Sequence, residues 1–412
     1  MNARRFLLLQ GVCSPFFMRL ADRLQAEGHG VFKVNFNAGD RAYWGLRPAA
    51  AFRRELAALP EFIDALFTRH GITDQIVFGD WRPVHEPALR LARGRGIRNH
   101  VFEEGYFRPH WVTLEREGAN AHSRLPRDAA WFRRAGAGLP DPTPGAAFAA
   151  PFWKRAAHDV AYHLAGLGNP LFFPRYRTHA PVRADREYLA YLRRFARVRA
   201  RREADRARVA ALAQGKAPFF LLPLQLDADA QIRLHSGYRD MRGVIDHVLE
   251  SFARAAPPQA RLVVKNHPLD NGVRDYARVV AAAAARRGLA GRVDYLESGD
   301  LDSLLRHARG TVTVNSTVGV TALAARCPTL ALGDPIYRIA GLAADQPLDA
   351  FWRAPEGPDP ELFRCFRNAV IHLTQVRGGF YSREGIELAV ENSVRPLTAD
   401  HPLLESLPCK PS

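Results

Sequence analysis

In Arg261-Leu262-Val263-Val264-Lys265-Asn266-His267-Pro268-Leu269-Asp270 a short apolar run ends abruptly on a cluster of polar groups. Branched apolar residues in a run this brief suit a buried strand. Pro268 then fixes the backbone just behind His267. The residues that follow, Gly272–Arg287, carry helical spacing. Strand, polar loop and helix recur in that order along the chain. Around this stretch the second half predicts strands at Pro218–Gln225, Arg292–Leu296, Thr311–Asn315 and Thr329–Leu332. Helices are predicted at Gly243–Ala255, Leu301–His307 and Val318–Arg326. The first half repeats the pattern, with strands at Arg5–Gln10, Val31–Phe36, Gln75–Gly79 and Asn99–Glu103. Its predicted helices are Phe16–Glu27, Ala50–His70 and Glu86–Arg95. Apolar strands alternating with helices predict parallel sheets covered on both faces.

A chain of 412 residues, at roughly 100–200 residues per domain, is expected to form two domains. The expected fold class is α/β, two Rossmann-like doubly wound domains facing a central cleft. The expected divisions are 1–150, a helical connecting segment over 151–215, a second domain over 216–375 and a C-terminal extension over 376–412. In such sheets ligands bind beyond the carboxyl ends of the strands, where the strand order reverses. Residues just after predicted strands are therefore the candidates for chemistry.

Composition narrows the classes. The four cysteines, Cys13, Cys327, Cys365 and Cys409, show no paired spacing, so neither a zinc site nor a disulfide framework is expected. The apolar run after Arg4 and Arg5 breaks at Gln10-Gly11, which reads as a first strand rather than a secretory leader. No run of about 18 apolar residues is present. The net charge is +16, from 58 Lys plus Arg against 42 Asp plus Glu. That excess fits nucleic acid, an anionic membrane or acidic small molecules, or a genome that favours arginine. The segment Arg193–Arg208 carries eight arginines. It reads either as a solvated helix face joining domains or as a contact for anionic lipid headgroups.

Five polar clusters follow predicted strands. Gln225-Leu226-Asp227-Ala228-Asp229 sets two carboxylates at a strand end, where one can act as nucleophile or base. The plain alternative is a turn whose Asp residues cap a helix. Lys265 and His267 suit a phosphate or carboxylate, and His can also carry a proton. Asn315-Ser316-Thr317 opens a helix and offers amides and hydroxyls to an anion, or simply an N-cap. Glu103-Glu104, followed closely by Arg108, can place one carboxyl for acid/base work and a cation for an acidic group, or can be a salt-bridged loop. The last cluster is looser: Gln10, Asn35, Asn37, Asp80 and Arg82, all at strand ends of the first half. No GxxxxGK[ST] loop, no GxGxxG after the first strand and no GxSxG elbow occur, which speaks against kinases, ATPases, simple dehydrogenases and serine hydrolases. Aromatic and basic residues do not interleave as in nucleic-acid binders, so nucleic acid is not expected as a partner.

Several of these segments together resemble a known family. Leu8-Leu9-Gln10-Gly11-Val12-Cys13-Ser14-Pro15, Val34-Asn35-Phe36-Asn37-Ala38-Gly39-Asp40 and Phe78-Gly79-Asp80-Trp81-Arg82-Pro83 are similar to KpsS-type capsular polysaccharide biosynthesis and export proteins. So are Pro223-Leu224-Gln225 with Asp229, Lys265-Asn266-His267-Pro268 and Asn315-Ser316-Thr317, and the likeness runs from Phe6 to about Pro396. The resemblance implies a GT-B-like fold and a retaining β-Kdo transferase. Such an enzyme uses CMP-Kdo and places the first β-linked Kdo of a poly-Kdo linker on lyso-phosphatidylglycerol. It implies an acceptor-side first domain and a second domain that binds the CMP-sugar donor. It implies no metal, because departing CMP carries a single phosphate.

Matched residue by residue, the resemblance puts the nucleophile at Asp229, with Asp227 second, and the acid/base at Glu103, with Glu104 beside it. Gln225, Asp227, Lys265, His267, Asn315, Ser316 and Thr317 would face the donor. Gln10, Asn35, Asn37, Asp80, Arg82 and Arg108 would face the acceptor. The protein would then be cytoplasmic and peripheral on the inner membrane, with CMP-Kdo, an anionic lipid surface and other capsule proteins as partners. The competing readings are another nucleotide-sugar transferase of this fold, or a non-catalytic capsule assembly or export component.

Overall fold

The computed structural model describes residues 3–143, 148, 152–177, 184–226 and 237–406. The chain divides into two compact units. The first comprises Met1–Pro126, Gly138–His179 and Arg367–Ser412, and the second Arg127–Ala137 and Ala180–Phe366.

The first unit holds β1 (Arg5–Leu8), β2 (Gly30–Asn35), β3 (Ala50–Ala51), β4 (Asp74–Phe78), β5 (Arg98–Glu104) and β6 (Trp111–Arg116). The second holds β7 (Phe219–Pro223), β8 (Arg261–Lys265), β9 (Val293–Leu296), β10 (Gly310–Thr313) and β11 (Thr329–Ala331). β12 (Gln375–Arg377) returns to the first sheet. The sheet orders are β12-β6-β5-β4-β1-β2-β3 and β11-β10-β7-β8-β9. Strands β5, β4, β1, β2 and β3 are parallel, and so is the whole second sheet. Both parallel sets therefore share one winding, with strand order reversing between β1 and β4 and between β7 and β10. Each unit is a doubly wound α/β layer structure, as the sequence predicts.

The reason lies in alternating burial. In β1, Phe6 and Leu8 join one apolar cluster with Phe16, Leu20 and Phe102. Leu7 and Leu9 join another with Val34, Ile63 and Val101. In the second unit Phe220 and Leu222 pack with Val244, Val248 and Phe252, while Phe219 and Leu221 pack with Val209 and Leu304. A sheet apolar on both faces needs helices on both faces. The helix Met241–Ala255 supplies one, burying Val244, Ile245, Val248, Leu249 and Phe252 at helical spacing. Its first turn is capped by Asp240, whose carboxylate accepts from the amides of Arg242 and Gly243.

Four features depart from the sequence expectation. Residues 50–70 are not one helix: Ala50–Ala51 is β3, Leu56–Ala58 is a single 3-10 turn, and the helix is Leu59–His70 with a proline in its first turn, where proline fits. The segment 151–215 is not one connector. The helix Phe152–Gly166 belongs to the first unit and packs on the helix Ala38–Trp44, whereas the helix Ala184–Gln214 belongs to the second. Residues 376–406 are no appendage either. β12 pairs antiparallel with β6, and the helix Arg383–Thr398 buries Ile386, Ala389, Val390 and Leu397. Phe380 packs edge-on to Phe16, Phe78 and Phe102. Finally, the arginines of Arg193–Arg208 do not form one basic face: Arg194 is buried, Arg197 pairs with Asp275 and Arg208 with Asp294. Among the described residues no helix is long and apolar enough to cross a membrane.

Candidate active site

In the first unit, the predicted polar residues sit just beyond the carboxyl ends of β1, β2, β4 and β5. After β2, Asn37 caps the helix Ala38–Trp44 by accepting from the amide of Asp40 at 2.8 Å. The Asp40 carboxylate turns back and accepts from the amide of Phe36 at 3.0 Å. Tyr162, from the helix Phe152–Gly166, donates its hydroxyl to Asp40 at 2.9 Å. The same hydroxyl accepts from Asn37 Nδ2 at 2.7 Å and from Gln10 Nε2 at 3.2 Å. Arg82, in the loop after β4, donates to Gln10 Oε1 at 3.2 Å and to the Gly11 carbonyl at 2.9 Å. Gln10, Asn37 and Arg82 thus share one network with Asp40 and Tyr162. Glycine at position 39 is required, since a Cβ there would lie 2.7 Å from the Tyr162 ring. Asn35 is buried, and its Oδ1 has no hydrogen-bond partner among the described residues.

The two adjacent glutamates at the end of β5 diverge, as alternation along a strand requires. Glu103 is half-buried beside the Gly79 backbone: a Cβ on Gly79 would lie 3.2 Å from Glu103 Oε2. Its Oε1 accepts from the Glu104 amide at 3.1 Å. Burial pushes the Glu103 carboxyl up to about 7; that amide and the Arg82 charge oppose the rise, and the charges of Glu104 and Asp80 add to it. Glu104 points elsewhere. Arg155 lies 3.1 Å from its Oε1, and Tyr381 donates to the same atom at 3.3 Å. Arg155 also stacks over the Tyr381 ring at 4.9 Å. Asp80 is buried and accepts from the Ala119 amide at 3.1 Å and from His122 Nδ1 at 3.0 Å. Arg108 is exposed and donates to the Gly105 carbonyl at 3.2 Å. Raised in this way, the Glu103 carboxyl can give or take a proton near neutral pH.

In the second unit, Gln225 is buried after β7, and its Oε1 accepts from the Asn315 amide at 3.1 Å. Asn315 follows β10. Ser316 Oγ accepts from the amide of Val318 at 3.1 Å, while Thr317 makes no capping bond. After β8, Asn266 Oδ1 accepts from the His267 amide at 2.8 Å. His267 Nδ1 accepts from the Leu269 amide at 3.0 Å, which leaves the proton on Nε2. The loop is clamped by Arg194, which donates to the carbonyls of His267, Pro268 and Asp270 at 2.8, 2.9 and 2.6 Å and to Glu297 Oε1 at 3.0 Å. Lys265 is buried, with Nζ 3.4 Å from the Asn266 carbonyl. Burial and the Arg194 charge lower its pKa. Asp227 and Asp229 lie outside the described residues.

Three contributors escaped the sequence reading: Tyr162, Arg155 and Arg194. All lie in the segment read as a connector, and no local motif marks them. Within Phe152–Gly166 the polar residues Lys154, Arg155, His158, Asp159, Tyr162 and His163 are spread along the helix, so the sequence alone did not single out Arg155 and Tyr162.

Residues 73–381 match the family described as "Capsule polysaccharide biosynthesis protein". The capsule polysaccharide export protein KpsS of Escherichia coli is 37% identical over 384 residues, covering 92% of this chain and 98% of that protein. The capsule polysaccharide modification protein LipB of Neisseria meningitidis serogroup B is 38% identical over 400 residues, 93% of each chain. Among solved structures, the KpsC beta Kdo 2,7 transferase of Thermosulfurimonas dismutans aligns over 95% of this chain and 99% of its own, at 15% identity and a TM-score of 0.46.

Proposed function

This chain belongs to the capsule polysaccharide biosynthesis family, and we propose that it is a retaining β-Kdo transferase. It moves Kdo from CMP-β-Kdo to lyso-phosphatidylglycerol and so starts the poly-Kdo linker of the capsule. The single observation that carries a catalytic rather than a purely binding role is the place of Glu103 at the carboxyl end of β5, where burial pushes its carboxyl up to about 7. A protein that only held acidic glycan would need cations there, not a carboxyl poised for proton transfer.

The roles follow from chemistry. The Asp229 carboxylate attacks the anomeric carbon of Kdo as the bond to the CMP phosphate breaks. An acceptor hydroxyl then displaces aspartate, giving up its proton to Glu103, so that two inversions retain configuration. Gln10, Asn37 and Arg82 serve the acceptor. Lys265, His267, Ser316 and Thr317 serve the donor's phosphate and carboxylate. A bound anion beside Lys265 would offset the burial and the Arg194 charge that weaken its hold on a proton. No metal is needed to neutralise a departing monophosphate, and the lipid acceptor would hold the protein at the cytoplasmic face of the inner membrane.

The test is a product assay with purified protein, freshly generated CMP-Kdo, a lyso-phosphatidylglycerol analogue and EDTA, read by mass spectrometry. The expected result is an acceptor heavier by one Kdo with CMP released. Absence of transfer, repeated with added divalent metal and with other nucleotide sugars, would sink the transferase reading. Asp229→Ala is expected to stay folded and bind CMP yet form no product; near-normal turnover would move the nucleophile elsewhere.

A further inference from the structure

The helix Phe152–Gly166 has two unlike faces. At about 100° per residue, Arg155, His158 and Tyr162 fall on one side. That side is engaged: Arg155 meets Glu104, Tyr162 meets Asp40, and Tyr43 Oη lies 2.8 Å from His158 Nδ1. Trp153, Ala157, Val160 and Leu164 lie roughly opposite, within a narrow arc. They are bare, with Trp153 64%, Val160 40% and Leu164 61% exposed. The turn and short helix that follow, Asn169–Phe172, add Leu167 at 77%, Leu171 at 78% and Phe172 at 38%. No other element presents such a run of exposed large apolar residues among the described residues.

We propose that this stripe is a membrane-docking face that seats the first unit on an anionic bilayer. The inference rests on the reading of a lipid-borne acceptor for why a bilayer should lie beside Tyr162 and Arg155. A run of exposed large apolar residues of this kind marks an interaction site. Its border selects the occupant. Lys154 Nζ is 5.7 Å from the Trp153 ring, Arg41 stacks at 4.8 Å over the Phe172 ring, and Arg177 is exposed nearby in sequence. A leucine-rich face with an interfacial tryptophan and a basic rim matches helices that lie in the headgroup layer. Anionic headgroups would neutralise that rim. A second copy, packed about a two-fold axis, would bring the same cations together instead.

Docking by this face is a reversible partition with no covalent step. It sets the other side of the same helix, and so the Gln10–Tyr162–Arg82 network, close to the headgroup layer. The exposed arginines of Arg193–Arg208 are not required for it.

The experiment is flotation of the full chain with vesicles of phosphatidylcholine and phosphatidylglycerol, with no nucleotide sugar present. The triple variant Leu164→Ser, Leu167→Ser and Leu171→Ser is expected to lower the partition coefficient about tenfold or more. Because these side chains are exposed, its melting temperature should match the parent's. A second measurement uses brominated lipids, which should quench tryptophan fluorescence in the wild type and do so measurably less in Trp153→Phe. Unchanged flotation of the triple variant, or quenching indifferent to Trp153→Phe, would overturn the proposal. So would a variant that changes only from dimer to monomer in sedimentation, which assigns the stripe to a second copy. Partition is read without turnover, so a failed transfer assay leaves this result standing and a failed flotation leaves the transferase reading standing.

Discussion

Two carboxyl groups sit on neighbouring strands of the first sheet, at opposite ends, and their proton affinities move in opposite directions. Asp74 opens β4 and is fully buried. Burial alone would raise its pKa. Donors from His100 at 2.8 Å, Arg98 at 2.8 Å on each oxygen and Thr73 at 2.7 Å instead hold it well below the usual carboxylate range. Arg4 adds a further contact at 3.2 Å. Glu103 lies next to last in β5, receives one backbone amide and is pushed up to about 7. The difference teaches that desolvation sets the cost and the partners decide who meets it. The amino edge of the sheet is saturated and serves stability. The carboxyl edge keeps a carboxyl under-supplied with donors and so ready to exchange a proton.

The sharpest way to break this contrast is to exchange the carboxyls for amides. Glu103→Gln is expected to lower turnover in the product assay proposed above by about 10²–10⁴-fold. Its stability should move the other way. A raised folded pKa costs the native state stability as pH rises from the ordinary 4.5 to about 7, so Glu103→Gln should melt at or above the wild-type temperature at pH 8. A variant that keeps turnover, or that melts lower, would place Glu103 among the structural residues. Asp74→Asn is expected to do the reverse, costing about 1–3 kcal/mol by weakening the bonds that Arg98, Arg4, His100 and Thr73 donate to a buried carboxylate. Denaturant titration reads that loss, and turnover per folded molecule should be near normal.

A smaller effect probes the seat of Glu103. Gly79 has φ +74°, and a Cβ there would meet Trp81 Nε1 at 2.9 Å as well as Glu103. Gly79→Ala should cost about 1–2 kcal/mol from the left-handed backbone. It should also shift the inflection of the pH–rate profile near 7, which Glu103→Gln should abolish. The mildest test is pH alone. His100 is buried and its pKa is lowered to about 4, chiefly by desolvation against the pull of Asp74. The unfolded chain therefore takes up a proton below about 6.5 that the native state refuses. Asp74, with its depressed folded value, adds a loss at still lower pH. In Glu103→Gln, which lacks the opposite pH dependence of Glu103, melting temperature should fall steadily as pH drops from about 6.5, and a flat profile of that variant down to pH 4 would contradict the saturated edge.

Much of the fold was readable locally. Each central strand is an apolar run closed by polar residues, because a strand covered on both faces has no side to expose. β6 and β12 were not readable. Trp111–Arg116 alternates and pairs antiparallel, and Gln375–Arg377 is three residues whose partner is more than 250 positions away. The site divides in the same manner. Gln10, Asn37 and Arg82 announced themselves by standing at strand ends. Arg194 was one of eight arginines in Arg193–Arg208, and nothing in that run singled out the one buried against Glu297 and the His267–Asp270 carbonyls.

The sequence by itself determined two α/β units, the strand ends where polar groups collect, and membership of a capsule biosynthesis family, since all three depend on patterns along the chain. Only the tertiary structure decided which of two adjacent glutamates is pushed up, which arginine is a clamp, and which face of Phe152–Gly166 is engaged and which is bare. Those outcomes turn on desolvation and on partners brought in from distant segments, and neither is a property of neighbouring residues.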